Sequence, residues 1–221
     1  MERVKISSLY DLSHTLAGEY LSGYTYPWEA LGGIGDFITA LGKELDPDLY
    51  EDRGNNVWVA KSAKVAPTAF LGANCIIDEG AEVRHCAFIR GNALVGKNSV
   101  VGNSTELKNV ILFDNVQVPH YNYVGDSILG YRSHMGAGSI TSNVKSDKTL
   151  VAINVEGNKY ETGIKKIGAM LGDCVEVGCG SVLNPGTVIG KNSNIYPLSS
   201  VRGFVGENSI YKKRGEIAEK H

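Results

Sequence analysis

The chain has 221 residues, 43% of them hydrophobic, enough for one sizeable domain with a buried core and a small appendage. Its 22 basic and 24 acidic residues leave a formal charge of -2, which gives no electrostatic reason to expect nucleic acid as partner. No stretch approaches the roughly 18 apolar residues of a membrane span, and MERVKISSLYDLS lacks the apolar core of a leader, so a cytoplasmic protein with no membrane partner is expected.

In chain order, residues 1–54 read as a small N-terminal helical cap: SSLYDLSHTLAGEYL comes first, then Leu31, Ile34, Phe37, Ile38 and Leu41 recur at helical spacing after Pro27. From Val59 the pattern changes to a period of six, through Val65, Leu71, Ile77, Val83, Ile89, Val95, Val101 and Leu107 to Phe113. Two positions before most of these stands a small residue, among them Ala63, Ala69, Cys75, Ala81, Ala87, Ala93, Ser99 and Thr105. Glycine or asparagine often follows, as in LGAN and VGKN. The stretch VPHYNYVGDS (118–127) interrupts the rhythm at His120. Residues 145–167 lose it, and TLVAINVEGNKYETG alternates about a Gly-Asn turn like a projecting hairpin. The hexads resume at Leu171, Val177, Leu183, Ile189, Ile195 and Val201, and 211–221 is a charged, exposed tail. Cys75, Cys86, Cys174 and Cys179 have neither metal-ligand spacing nor the density of a disulfide scaffold and read as buried free thiols.

A period of six suits neither an amphipathic helix nor a simple alternating strand. It suits an all-β solenoid of triangular coils over residues 55–210, in which each apolar residue points inward. Small residues fit the corners, and glycine or asparagine supplies the turn angles. A β-sandwich would instead place turn signals irregularly, every 8 to 12 residues.

The repeat resembles that of the hexapeptide-repeat acyltransferases, which implies a left-handed parallel β-helix and a homotrimer with substrates bound between prisms. From Arg90 onward VGN-x-x-E-x-K, H-x-x-Y-x-GD and GAG-x-I-T-x-N are similar to the acetyltransferase half of the bifunctional glucosamine-1-phosphate acetyltransferases and N-acetylglucosamine-1-phosphate uridyltransferases. The resemblance implies an acetyl-CoA-dependent N-acetyltransferase acting on an amino-sugar phosphate, in the synthesis of nucleotide sugars such as UDP-N-acetylglucosamine. It makes His120 the general base, Asn143 the group orienting the amine, and Ala137 the backbone N–H donor near the thioester carbonyl. Arg90 and Lys108 match phosphate-binding residues, and Tyr123 another sugar contact. Ala137, Cys179, Pro197 and Arg214 match positions along acetyl-CoA. No metal is required for the acyl transfer.

The chain departs from that pattern. His134 replaces a sugar-binding asparagine, Lys148 is displaced by one position, and Cys179 and Pro197 stand for a serine and an alanine. The segment ETGIKKIGAMLGD is closer to the C-terminal domains of sugar-1-phosphate nucleotidylyltransferases with a second acetyltransferase activity, and no nucleotidyltransferase domain is expected before it. Two rival readings exist. A gamma-class carbonic anhydrase would use His85 and His120, but its third ligand falls at Gly125, and a catalytic zinc needs three protein ligands. A non-catalytic trimeric module would bind a sugar nucleotide or a partner enzyme and keep His120 as a recognition group.

Overall fold

The computed structural model describes residues 1–213 and 215–220. Its strands are mostly two to four residues long, and those of the prism pair in parallel from one coil to the next, as in Phe70↔Phe88, Cys75↔Ala93 and Glu82↔Val100. Eighteen residues, three hexads, therefore close one triangular coil, and about nine coils stack into a left-handed parallel β-helix. Asn74, Asn92, Asn98, Asn192 and Asn208 take left-handed φ at corners, which explains the recurrent asparagine. Ala81, Ala87, Ser99 and Thr105 fill the corners and are buried, as the pattern predicts.

The hexad does not run unbroken to Phe113. Val95 pairs with Leu112, which pairs with Leu129, so the inward row steps by five from Leu107 to Leu112 and again from Val124 to Leu129. Phe113 is buried for another reason: its ring lies 5.1 Å from that of Tyr10. Each shortened corner becomes continuous strand, giving the long segments Glu106–Leu112 and Tyr123–Leu129. The break in rhythm thus lies on either side of His120, and His120 itself sits at a regular corner, paired with Asn103.

One face of the prism, carrying Cys75–Ile77, Ala93–Val95, Ala169–Leu171 and Thr187–Ile189, is buried on both sides. Its outward side chains Ile76, Leu94, Ile111, Ile128, Met170 and Val188 are fully covered, each contributing roughly 1.5–3 kcal/mol by burial. The cover is the N-terminal segment, a run of short helices that includes Ile6–Leu9, Gly18–Ser22 and Ile34–Gly42. It lies along this face rather than over an open end of the prism. Leu9 O accepts from Asp173 N and His14 O from Asp114 N, while Gly42 packs on the Trp58 ring. The ends are closed instead by antiparallel strands. Tyr50–Asp52 pairs with the first coil, and Glu216–Glu219 pairs with Ser209–Lys213, so the charged tail extends the sheet.

The inserted hairpin pairs Ala152–Val155 with Asn158–Glu161 around Glu156 and Gly157, one residue earlier than the sequence suggests, because both take positive φ as a two-residue hairpin loop requires. It does not project. Val151, Ile153 and Val155 are buried, and Tyr160 packs against Tyr26 and Trp28. The four cysteines are free, but only Cys75 is buried; Cys86 and Cys179 are exposed at corners and Cys174 is half-buried.

Under the covered face, Asp78 is fully buried. Its Oδ1 accepts from the Tyr50 hydroxyl and from Glu79 N, and its Oδ2 has no partner among the described residues. Burial raises its carboxyl pKa from the ordinary aspartate value despite Lys97 nearby. The unfolded chain therefore loses this proton first as pH rises, and stability falls until the raised folded value is passed. Asp78→Asn keeps the acceptor and removes the charge. It is expected to melt higher than the parent at pH 7 with little difference at pH 3; a lower melting temperature at pH 7 would show that Lys97 needs the carboxylate.

Candidate active site

The two faces left uncovered meet at one corner, and there the coils stack His85, Asn103, His120, Ala137, Cys179 and Pro197 in a column. A ladder of backbone bonds fixes it: Ser104 N donates to His85 O (3.3 Å), Tyr121 N to Asn103 O (2.9 Å), Gly138 N to His120 O (3.0 Å), Gly180 N to Ala137 O (2.9 Å) and Leu198 N to Cys179 O (2.9 Å). The predicted base, the predicted carbonyl-binding residue and two predicted cofactor contacts thus share one exposed edge. Ala137 N–H and Cys179 N–H have no acceptor among the described residues and are open to a ligand.

His120 is exposed, and its side chain has no hydrogen-bonded partner among the described residues, while its backbone is held on both sides. Asn122 provides the second hold and was missed by sequence reasoning. It stands in the corner row of small residues, with Ala87, Thr105 and Ser139, but its longer side chain is buried and reaches the next coil. Its Oδ1 accepts from His120 N (3.1 Å) and its Nδ2 donates to Gly136 O (2.9 Å) and Ser139 O (3.1 Å). The only available signal was a polar amide where neighbouring coils have a small residue.

Three residues beyond His120, Tyr123 begins a strand of the adjoining uncovered face, and this face carries the second group. Arg90 donates to Glu106 Oε1 (2.9 Å), and Lys108 Nζ to Asp126 Oδ1 and Oδ2 (2.8 and 3.1 Å). Asn143 Nδ2 donates to Asp126 Oδ2 (2.6 Å) and to the Tyr123 hydroxyl (3.2 Å). Burial, with Asp126 and Glu106 nearby, pushes the Tyr123 phenol above its ordinary pKa, so it stays a neutral hydroxyl. Glu106 holds the Arg90 guanidinium charged. The structure thus gathers Arg90, Lys108, Tyr123 and Asn143 on one face and adds two carboxylates that balance the two cations.

The remaining predicted residues lie elsewhere. His134 is on the other uncovered face, its Nδ1 2.8 Å from Glu176 Oε2. Lys148 is exposed in the loop after Asn143, with left-handed φ, and makes no side-chain bond to the cluster among the described residues. Arg214 lies outside the described residues. His85 is bonded through Nδ1 to Thr68 Oγ1 (2.6 Å), and no group of three or more metal-ligating side chains occurs among the described residues. No helix is long and apolar enough to cross a membrane.

Residues 73–178 match the model of the GMPPB C-terminal domain family. The chain is 33% identical over 217 residues to a bifunctional protein GlmU of Methanococcus maripaludis, covering 90% of this chain and 50% of that protein. It is 31% identical over 126 residues to a bifunctional sugar-1-phosphate nucleotidylyltransferase/acetyltransferase of Sulfurisphaera tokodaii, covering 57% of this chain and 31% of that protein. The chain therefore spans about half the length, or less, of these curated relatives. Among solved structures, a hexapeptide transferase family protein from Anaplasma phagocytophilum aligns over 75% of this chain and 81% of its own, with TM-score 0.42 and 14% identity.

Proposed function

Because the chain is a hexapeptide-repeat left-handed β-helix related to the bifunctional GlmU proteins, we propose that it transfers an acetyl group from acetyl-CoA to the amine of an amino-sugar phosphate, as a homotrimer. The observation that carries this reading is the single edge on which His120 and the Ala137 N–H, without an acceptor among the described residues, stand one coil apart, at one corner of the face that carries the Asn143 cluster.

An amino sugar is largely ammonium near neutral pH, and its nitrogen must lose a proton before it can attack a thioester. The His120 imidazole is exposed and has no hydrogen-bonded side-chain partner among the described residues, so its ring nitrogen is placed to take that proton. The amine nitrogen then bonds to the thioester carbon, whose oxygen becomes an oxyanion facing the Ala137 N–H. Collapse expels the coenzyme A thiolate, which recovers a proton from the imidazolium, while the acylated nitrogen sheds its remaining extra proton to solvent and becomes the neutral amide. Ala137 and Cys179 amides offer donors along the pantetheine arm, and Pro197 extends the same edge. Arg90 and Lys108 meet the phosphate, which must share them with Glu106 and Asp126.

The test is release of free thiol from acetyl-CoA with a panel of amino-sugar 1-phosphates, including the gluco and galacto epimers. Turnover with one of them supports the reading and identifies the sugar. A folded protein with no turnover on any amine overturns it in favour of a non-catalytic sugar-nucleotide-binding module.

A further inference from the structure

Asp126 stands at the centre of the second cluster, where it does more than compete for Lys108. It is buried, with only 4% of its surface exposed, and its left-handed φ places it at a shortened corner. Its carboxylate takes donors from three residues: Lys108 Nζ, Asn143 Nδ2 (2.6 Å) and Asn109 Nδ2 (3.0 Å). The same Asn109 amide also donates to Leu31 O (3.1 Å) in the helical layer, so Asp126 is tied to the covered side of the prism.

A carboxylate can only accept, so the amide of Asn143 must turn its NH2 group toward Asp126. Its second N–H meets the Tyr123 hydroxyl. Asn143 Oδ1 is thereby left facing away from Asp126 as a fixed acceptor. A substrate amine or ammonium is a donor and needs such an oxygen; a rotated amide would meet it with N–H groups. We propose that Asp126 is a positioning residue: it locks Asn143 with its carbonyl oxygen toward the substrate amine. This rests on the acetyltransferase reading for its catalytic consequence, but not for the orientation itself.

Asp126→Asn is the test, since asparagine has the same shape and tolerates left-handed φ. It offers one acceptor oxygen to three donors and presents an NH2 group to one of them. With the melting temperature and circular dichroism near those of the parent, kcat/KM for the amine is expected to fall by about a hundredfold, as for a mispositioned reacting group. In an Asn143→Ala background the same substitution should cost no further loss, because Asp126 acts through Asn143. Undiminished turnover in Asp126→Asn, or losses that multiply in the double variant, would overturn the proposal. A readout without turnover separates this from the function itself. In protein labelled with 15N-asparagine, the Asn143 side-chain N–H pair, identified by its disappearance in Asn143→Ala, should exchange slowly with water and exchange faster in Asp126→Asn. Equal exchange in both proteins overturns the positioning role even if no substrate amine is ever found, and slower exchange in the parent upholds the orientation even then.

Discussion

Replacing His120 with alanine is expected to lower acetyl transfer by two to four orders of magnitude, about the contribution of a positioned general base, while leaving acetyl-CoA binding and the melting temperature nearly unchanged. The fold should be indifferent because only an exposed side chain is removed. The backbone of residue 120 stays pinned by Asn122 Oδ1 at its N–H and by Gly138 N at its carbonyl, and surface changes of this kind usually shift stability by about 0.5 kcal/mol or less. Coenzyme binding should survive because Ala137 and Cys179 offer backbone N–H groups that the substitution does not touch. The measurement is the thiol-release assay with the sugar that supports turnover, paired with calorimetric titration of acetyl-CoA. Full turnover in the variant would remove His120 from the chemistry, and parallel loss of coenzyme binding would make it a binding residue instead.

Gly102→Ala is expected to be among the most destabilising single substitutions in the chain. A methyl group there would lie 1.5 Å from Pro119 O and 2.0 Å from Pro119 C, both backbone atoms of the next coil. Backbone cannot rotate aside as a side chain can, so Pro119 and His120 would have to lift off the coil below. Overpacking typically costs 1–3 kcal/mol and more when the obstacle is rigid; here about 3 kcal/mol or more is expected, a fall in melting temperature of about 6–12 °C at roughly 2–4 °C per kcal/mol for a chain of this size. The row repeats the requirement: at Gly136 an added methyl would lie 2.7 Å from Cys179 N, and at Gly178 2.4 Å from Pro197 N. Thermal melts of the three alanine variants check the ranking, Gly102→Ala lowest. A change under about 1 kcal/mol at residue 102, near the median for any substitution, would mean that the corner beneath His120 is far softer than its spacing implies. Activity lost with stability retained would place the effect in the displaced base.

How much of this was legible beforehand follows from the range over which each feature is decided. The prism was readable from one strand and its corner, because each coil obeys the same local rule: an inward apolar residue, a small corner residue and a left-handed asparagine or glycine. The helical spacing of Leu31, Ile34 and Ile38 and the alternation through residues 152–161 were local in the same sense. The identities of His120, Asn143, Ala137, Arg90 and Lys108 could also be named from spaced motifs.

Tertiary structure alone decided the rest. Leu112 and Phe113 are both apolar, so the sequence could not show which one the coils select; inter-coil pairing chose Leu112 and freed Phe113 for Tyr10. The helical layer needed an apolar surface, and only the stacked coils reveal that one face presents Ile76, Leu94, Ile111 and Ile128 outward in a row. Asp126 was visible inside H-x-x-Y-x-GD but carried no assignable role, since its partners Lys108 and Asn143 lie one coil below and one coil above it. The sequence by itself determined the strands, the corners and the chemical types present. The pairing of coils determined which charges neutralise each other, which way Asn143 faces and which edge is left open, because those contacts are made perpendicular to the chain, where sequence spacing carries no direct record.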